Sequence, residues 1–121
     1  MKTIAVVEDN PDNRLLVSAI LGGDYELSEY ESGPAALAGV RARRPDLVLL
    51  DISLPGMDGT AVLRAIRADQ ALAGLPVIAL TAHAMQGDRE RFLEMGFDAY
   101  VTKPIVDETV LLDAIRAVLD G

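Results

Sequence analysis

The segment DLVLLDISLPGMDG, residues 46–59, sets four apolar residues, Leu47 to Leu50, directly against a carboxylate, Asp51, with Pro55-Gly56 close behind. Continuous runs of branched residues read as strands buried on both faces, because a half-exposed strand would alternate apolar with polar. An acid at the exit of such a strand is costly unless something pairs with it or uses it. Two further runs have the same character, Ile4 to Val7 and Val77 to Leu80. Tyr25 to Tyr30 and Ala99 to Thr102 are more mixed and suit the edges of a sheet.

Helical patterns lie between these strands. Asn10-Pro11 offers an N-cap and a first-turn proline, and Gly22-Gly23 closes a helix whose apolar face is Val17, Ile20 and Leu21. Ala36, Leu37 and Val40 mark a second helix, and Val62, Leu63 and Ile66 a third. A weaker fourth spans about Asp88 to Met95 and closes at Gly96. In the fifth, Leu111, Ala114, Ile115 and Val118 fall at i, i+3, i+4 and i+7. Five strands alternating with five helices predict an α/β fold, a doubly wound parallel sheet with right-handed crossovers. With the fifth helix reaching almost to Gly121, one domain is expected over residues 1–121, with no separate output domain.

The composition narrows the function classes. The 121 residues carry a formal net charge of -8, which argues against direct binding to nucleic acid or to an anionic membrane, whose phosphates need a basic surface. The absence of cysteine excludes disulfides, thiolate metal sites and a thiol nucleophile. No apolar run approaches a membrane span and no signal-peptide pattern opens the chain, so a soluble, cytoplasmic protein is expected. Arg41, Arg43 and Arg44 fall at a helix end, where cations complement the dipole, and read as a solvated terminus.

The chemistry gathers at the strand exits. The first strand exits into Glu8-Asp9 and the third into Asp51. If those strands are neighbours, three carboxylates share one cleft, and they repel unless a cation joins them. Oxygen ligands without Cys or His point to Mg²⁺, with Mn²⁺ as a substitute. The fourth strand exits into Thr81-Ala82 and the fifth into Lys103-Pro104. A hydroxyl and an ammonium at the same sheet edge suit a phosphoryl group, with Asp51 as the nucleophile that forms an acyl phosphate. Gly56 and Gly59 read as residues that permit tight turns in the loop after Asp51. His83, two residues past Thr81, reads most simply as a surface side chain.

VVEDN at 6–10, LVLLDISLPGMDG at 47–59, VIALTA at 77–82 and DAYVTKP at 98–104 together resemble the receiver domain of bacterial two-component response regulators, over essentially the whole chain. EDNPDNR and TAHAM resemble single-domain regulators of the chemotaxis or cell-cycle and polarity type, and the receivers of hybrid kinases. The resemblance implies a flavodoxin-like sheet of order 2-1-3-4-5. It implies that Asp51 is the phosphoacceptor, supplied by a histidine kinase or a histidine phosphotransfer protein. Asp9, Asp51 and the backbone carbonyl of Ser53 would hold the metal directly, and Glu8 through water or directly; many receivers have Asp at that position. Thr81, Ala82 and Lys103 would surround the phosphoryl group, and the bond from Lys103 to Pro104 would be cis. Thr81 and Tyr100 would be the switch pair, remodelling the face of helix 4, strand 5 and helix 5 for a protein target.

Other function classes fit less well. An Asp-nucleophile phosphohydrolase of the haloacid-dehalogenase type would carry a second acid two residues after the nucleophile, where this chain has Ser53. A binding-only pseudo-receiver would have lost the acids or Lys103. A nucleotide-binding flavodoxin-like protein would have a glycine-rich phosphate loop after the first strand, and none follows Val7.

Overall fold

Among the residues described by the computed structural model, namely 2–82, 88–103, 105 and 107–120 with Arg89 described in its backbone alone, five strands alternate with five helices. The strands are β1 (Thr3–Val7), β2 (Glu26–Tyr30), β3 (Leu47–Asp51), β4 (Val77–Thr81) and β5 (Ala99–Thr102). The helices are α1 (Pro11–Leu21), α2 (Gly33–Ala42), α3 (Gly59–Ala68), α4 (Asp88–Met95) and α5 (Glu108–Asp120). All neighbouring strands pair in parallel, in the order β2-β1-β3-β4-β5. The two mixed segments do form the edges, and the three apolar runs form the centre.

The continuous runs have a physical cause. Side chains alternate across a strand, and here both faces are covered. Ala5, Val7, Val48, Leu50, Val77 and Ala79 pack under α2, α3 and α4 with Leu37, Val62, Leu63 and Phe92. Ile4, Val6, Leu47, Leu49, Ile78 and Leu80 pack under α1 and α5 with Val17, Leu21, Leu111 and Ile115. Every position of β3 and β4 is therefore buried. Full burial of one such aliphatic side chain stabilises the fold by about 1.5–3 kcal/mol.

The starts of α1, α2 and α3 are tied locally. Asn10 Oδ1 accepts from the backbone of Asp12 at 2.8 Å and Asn13 at 3.3 Å, as its position before Pro11 predicts. Ser32 caps α2, and Asp58 caps α3 by accepting from Ala61 N–H at 2.9 Å. The hydrogen bond from the Thr60 hydroxyl, followed by that from Ala61 N–H, holds the Asp58 carboxyl below its usual range. The arginines at the end of α2 are exposed, and Arg41 and Arg43 lie 3.2 Å from Asp69 and 3.7 Å from Glu26.

One region carries no sequence-based expectation. Residues 69–76 form a turn whose Leu72 and Leu75 are buried in the core. The guanidinium of Arg67, on α3, fastens it by donating to the carbonyls of Ala73 (3.0 Å), Leu75 (2.6 Å) and Gly96 (2.7 Å). It also meets Asp98 at 3.2 Å, whose carboxylate accepts from Val77 N–H at the start of β4. Arg67 thus ties α3, the turn, the end of α4 and the starts of β4 and β5 at the pole opposite Asp51. Arg67→Ala is expected to lower stability by about 2–4 kcal/mol, because several carbonyls lose a charged donor together. Urea unfolding checks this. Arg67→Lys should recover less than half of the loss, since an ammonium cannot reproduce the fork.

Candidate functional site

Alternation along the strands decides which side chains meet. Ile4 and Val6 face α1 and α5, as do Leu47, Leu49 and Val101. Two residues further on, the same parity delivers Glu8, Asp51 and Lys103 to that side of the sheet's carboxyl edge. The register sets Val7 against Leu50, so the exits of β1 and β3 are level.

One carboxylate oxygen from each of Glu8, Asp9 and Asp51 lies within 4.8 Å of the other two. Glu8 and Asp51 are each only 1% exposed, whereas Asp9 is open to solvent. The Lys103 ammonium bridges the buried pair, 3.2 Å from Glu8 Oε2 and 3.1 Å from Asp51 Oδ2. Ser53 is exposed, and its backbone N–H donates to Asp51 Oδ1 at 3.0 Å.

These contacts perturb the charges. Burial, followed by a hydrogen bond to Asp51 and the charge of Asp51, pushes the Glu8 carboxyl above its usual range against the opposing pull of Lys103. Burial disfavours the Lys103 ammonium, yet the hydrogen bonds and charges of Asp51 and Glu8 prevail and raise it. Burial first, and the neighbouring Asp51 second, thus make Glu8 retain its proton more tightly, while one ammonium faces both acids. An all-oxygen set of this kind suits a hard divalent ion that takes few protein ligands and keeps its waters.

Thr81 is buried beside this cluster, and its carbonyl accepts from Lys103 N–H at 2.7 Å, which fixes the backbone that carries the ammonium. Ala82 follows it and is exposed. Tyr100 shares the face of Val77 and Ala79. It is half-buried, with its ring centroid 5.6 Å from that of Phe92 on α4. Pro104, with the cis bond expected before it, and His83 lie outside the described residues.

The two loop glycines have different reasons. Gly56 has φ +78, so the turn reading fits it. Gly59 does not share that geometry: it is the first residue of α3, and a Cβ there would lie 2.5 Å from the Asp51 carbonyl oxygen and 2.7 Å from Ile52 Cα. It is needed for close approach to the backbone of Asp51, which corrects the turn assignment. Sequence reasoning also passed over Arg14, whose guanidinium donates to the carbonyl of Glu8 at 2.8 Å.

The arrangement agrees with what the chain is similar to. The family model of the response regulator receiver domain matches residues 4–116. The polar-differentiation response regulator DivK of Brucella ovis is 43% identical over 105 residues, covering 86% of this chain and 85% of DivK. The sensor protein GacS of Pseudomonas syringae pv. syringae is also 43% identical, over 106 residues; the match takes in 84% of this chain and only 12% of GacS. Among solved structures, the receiver domain of the sensor histidine kinase PA1611 of Pseudomonas aeruginosa, with magnesium coordinated in its active-site cleft, has a TM-score of 0.89 at 35% identity, covering 99% of this chain and 98% of that one. The chemotaxis protein CheY4 of Vibrio cholerae has a TM-score of 0.89 at 26% identity, covering 98% and 99%. With the sheet order, the acid cluster and the family match in agreement, this chain belongs to the response regulator receiver domain family of two-component systems.

Proposed function

We propose that residues 1–121 form one receiver domain that works as a phosphorylatable switch, with Asp51 as the phosphoacceptor. The observation that carries this reading is the buried Asp51 carboxylate, held between the Lys103 ammonium and the acids Glu8 and Asp9. The donor is a histidine kinase or a histidine phosphotransfer protein. An Asp51 oxygen forms a bond to phosphorus as the donor's P–N bond breaks, and the imidazole departs with the electron pair.

Glu8, Asp9, Asp51 and the Ser53 carbonyl would hold Mg²⁺, or Mn²⁺ in its stead. A bound divalent ion supplies positive charge that offsets both the acids and the phosphoryl oxygens. Magnesium in the PA1611 receiver supports this choice. Lys103 neutralises a phosphoryl oxygen, while Thr81 and the backbone at Ala82 donate hydrogen bonds to the others. Thr81 and Tyr100 then reorganise together and alter the face of α4, β5 and α5 for a protein target. On this reading the chain is cytoplasmic and contacts neither nucleic acid nor membrane directly. It assists its own phosphorylation and dephosphorylation without turning over a separate substrate.

Incubation with Mg²⁺ and a small acyl-phosphate donor, followed by intact mass, tests the reading. One added phosphoryl group is expected with Mg²⁺ and none in excess chelator. No uptake at any Mg²⁺ concentration would overturn it. Repeated release of phosphate from a simple phosphoester would point instead to a hydrolase.

A further inference from the structure

We infer that Arg14 is a positioning residue for the acid pair, holding the Glu8–Asp9 peptide so that both carboxylates face Asp51. This inference rests on the divalent-cation role proposed for those acids. Arg14 lies on α1, outside the cluster, and its side chain is only 17% exposed. Its shortest polar contact among the described residues is Nη1 to the Glu8 carbonyl oxygen at 2.8 Å. A second polar contact among the described residues is loose: Nη2 sits 3.5 Å from Glu31, whose side chain is 80% exposed.

A sequestered guanidinium that spends its best hydrogen bond on one carbonyl is fixing that peptide. The peptide in question joins the two acids. Its Glu8 end is held on the other side as well, because Glu8 N–H donates to the Tyr30 carbonyl at 3.1 Å. Asn10 N–H donates to Glu8 Oε1 at 3.2 Å and steers the side chain. Asp9 has no such restraint among the hydrogen bonds described: it is exposed and follows directly on the Glu8 carbonyl. The peptide before it fixes where its Cα stands, and Arg14 holds that peptide by its carbonyl. The helix supports the arrangement, since Arg14 N–H bonds to the Asn10 carbonyl at 3.0 Å and carries the side chain back over the loop.

Removing a partner that orients a metal ligand costs roughly 10–100-fold in metal affinity. Arg14→Met keeps much of the stem packing and deletes every donor, so its Mg²⁺ affinity by calorimetric titration is expected to fall within that range. Arg14→Lys keeps a cationic donor and should stay within about threefold of wild type. Glu31→Gln should leave affinity unchanged. Urea unfolding in chelator runs in parallel, because a merely structural role would lower stability while leaving the affinity of the folded protein intact. If Arg14→Met does not fold, Arg14→Gln takes its place.

Weakened binding in Arg14→Met with recovery in Arg14→Lys supports the assignment. An Arg14→Met affinity within twofold of wild type overturns it, and so does an equal loss in Arg14→Lys. Wild type that binds no Mg²⁺ overturns the divalent-cation reading together with it. Wild type that binds Mg²⁺ and takes up a phosphoryl group, beside an unaffected Arg14→Met, overturns the Arg14 assignment alone.

Discussion

Asp51→Asn is expected to carry no added phosphoryl group after incubation with Mg²⁺ and an acyl-phosphate donor, under conditions where the wild-type chain gains one. The amide nitrogen of Asn is not a nucleophile, and its oxygen lacks the charge to attack phosphorus. The substitution is nearly isosteric, so Ser53 N–H can still donate to the side-chain oxygen as it does to Asp51 Oδ1 at 3.0 Å. A folded, inert protein is therefore the expected outcome. A second readout shows that the cluster itself has changed. Glu8 titrates above the usual carboxylate range because of burial first and Asp51 second. A carboxyl whose folded value is raised contributes stability that is full below the unfolded value and lost as pH rises through the folded one. In chelator, wild type should therefore lose stability as pH climbs through and above the usual carboxylate range. Asp51→Asn removes the second cause and leaves the first, so that loss should shrink without vanishing. Denaturant titrations at several pH values check this. Phosphoryl uptake by Asp51→Asn equal to wild type would place the acceptor elsewhere.

Much of this site is legible in the sequence because strands have period two. Leu47 to Leu50 and Val77 to Leu80 announce strands covered on both sides, and both are buried throughout. Extending the alternation past each strand end would have sorted the polar residues as well. Glu8, Asp51 and Lys103 fall with Val6, Leu49 and Val101 on the side of α1 and α5, while Thr81 and Tyr100 fall with Ala79 on the other. The proposed acids and ammonium thus share one face of this edge, and the proposed switch pair the other, with Thr81 reaching the phosphoryl group from the second face. Residues that act on backbone from a distance leave no such periodic trace. Arg14 and Arg67 look in sequence like ordinary helix-surface cations, yet each spends its head group on carbonyls of other segments. Gly59 misleads for a related reason: what it must avoid is the main chain at Asp51 and Ile52, which no local pattern encodes. Leu72 and Leu75 are buried in a turn too short to repeat any pattern.

Lys103→Ala is expected to move two properties in opposite directions. The ammonium is the only cation found within 4 Å of the Glu8 and Asp51 carboxylates among the described residues, at 3.2 and 3.1 Å. Deleting it removes a group that balances charge building on phosphoryl oxygens, and the loss of one such group slows a reaction by about 10²–10³. Phosphoryl uptake should fall by about that factor. Divalent-ion affinity should rise, because Lys103 and the ion neutralise the same carboxylates and the ammonium competes for them. Without metal, the variant leaves two acids that are almost fully buried with no counter-charge. Removing one partner of a buried ion pair costs about 3–5 kcal/mol, and a destabilisation of that order is expected in chelator. Mg²⁺ should then restore more stability to Lys103→Ala than it adds to wild type. Lys103→Arg separates charge from shape: it keeps the competing cation, so Mg²⁺ affinity should not rise, while its wider fork misplaces the charge and uptake stays slow. Calorimetric titration with Mg²⁺ and the time course of phosphorylation by intact mass decide between these outcomes. If uptake and Mg²⁺ affinity fell together in Lys103→Ala, the ammonium would be a scaffold for the acids rather than a partner of the phosphoryl group.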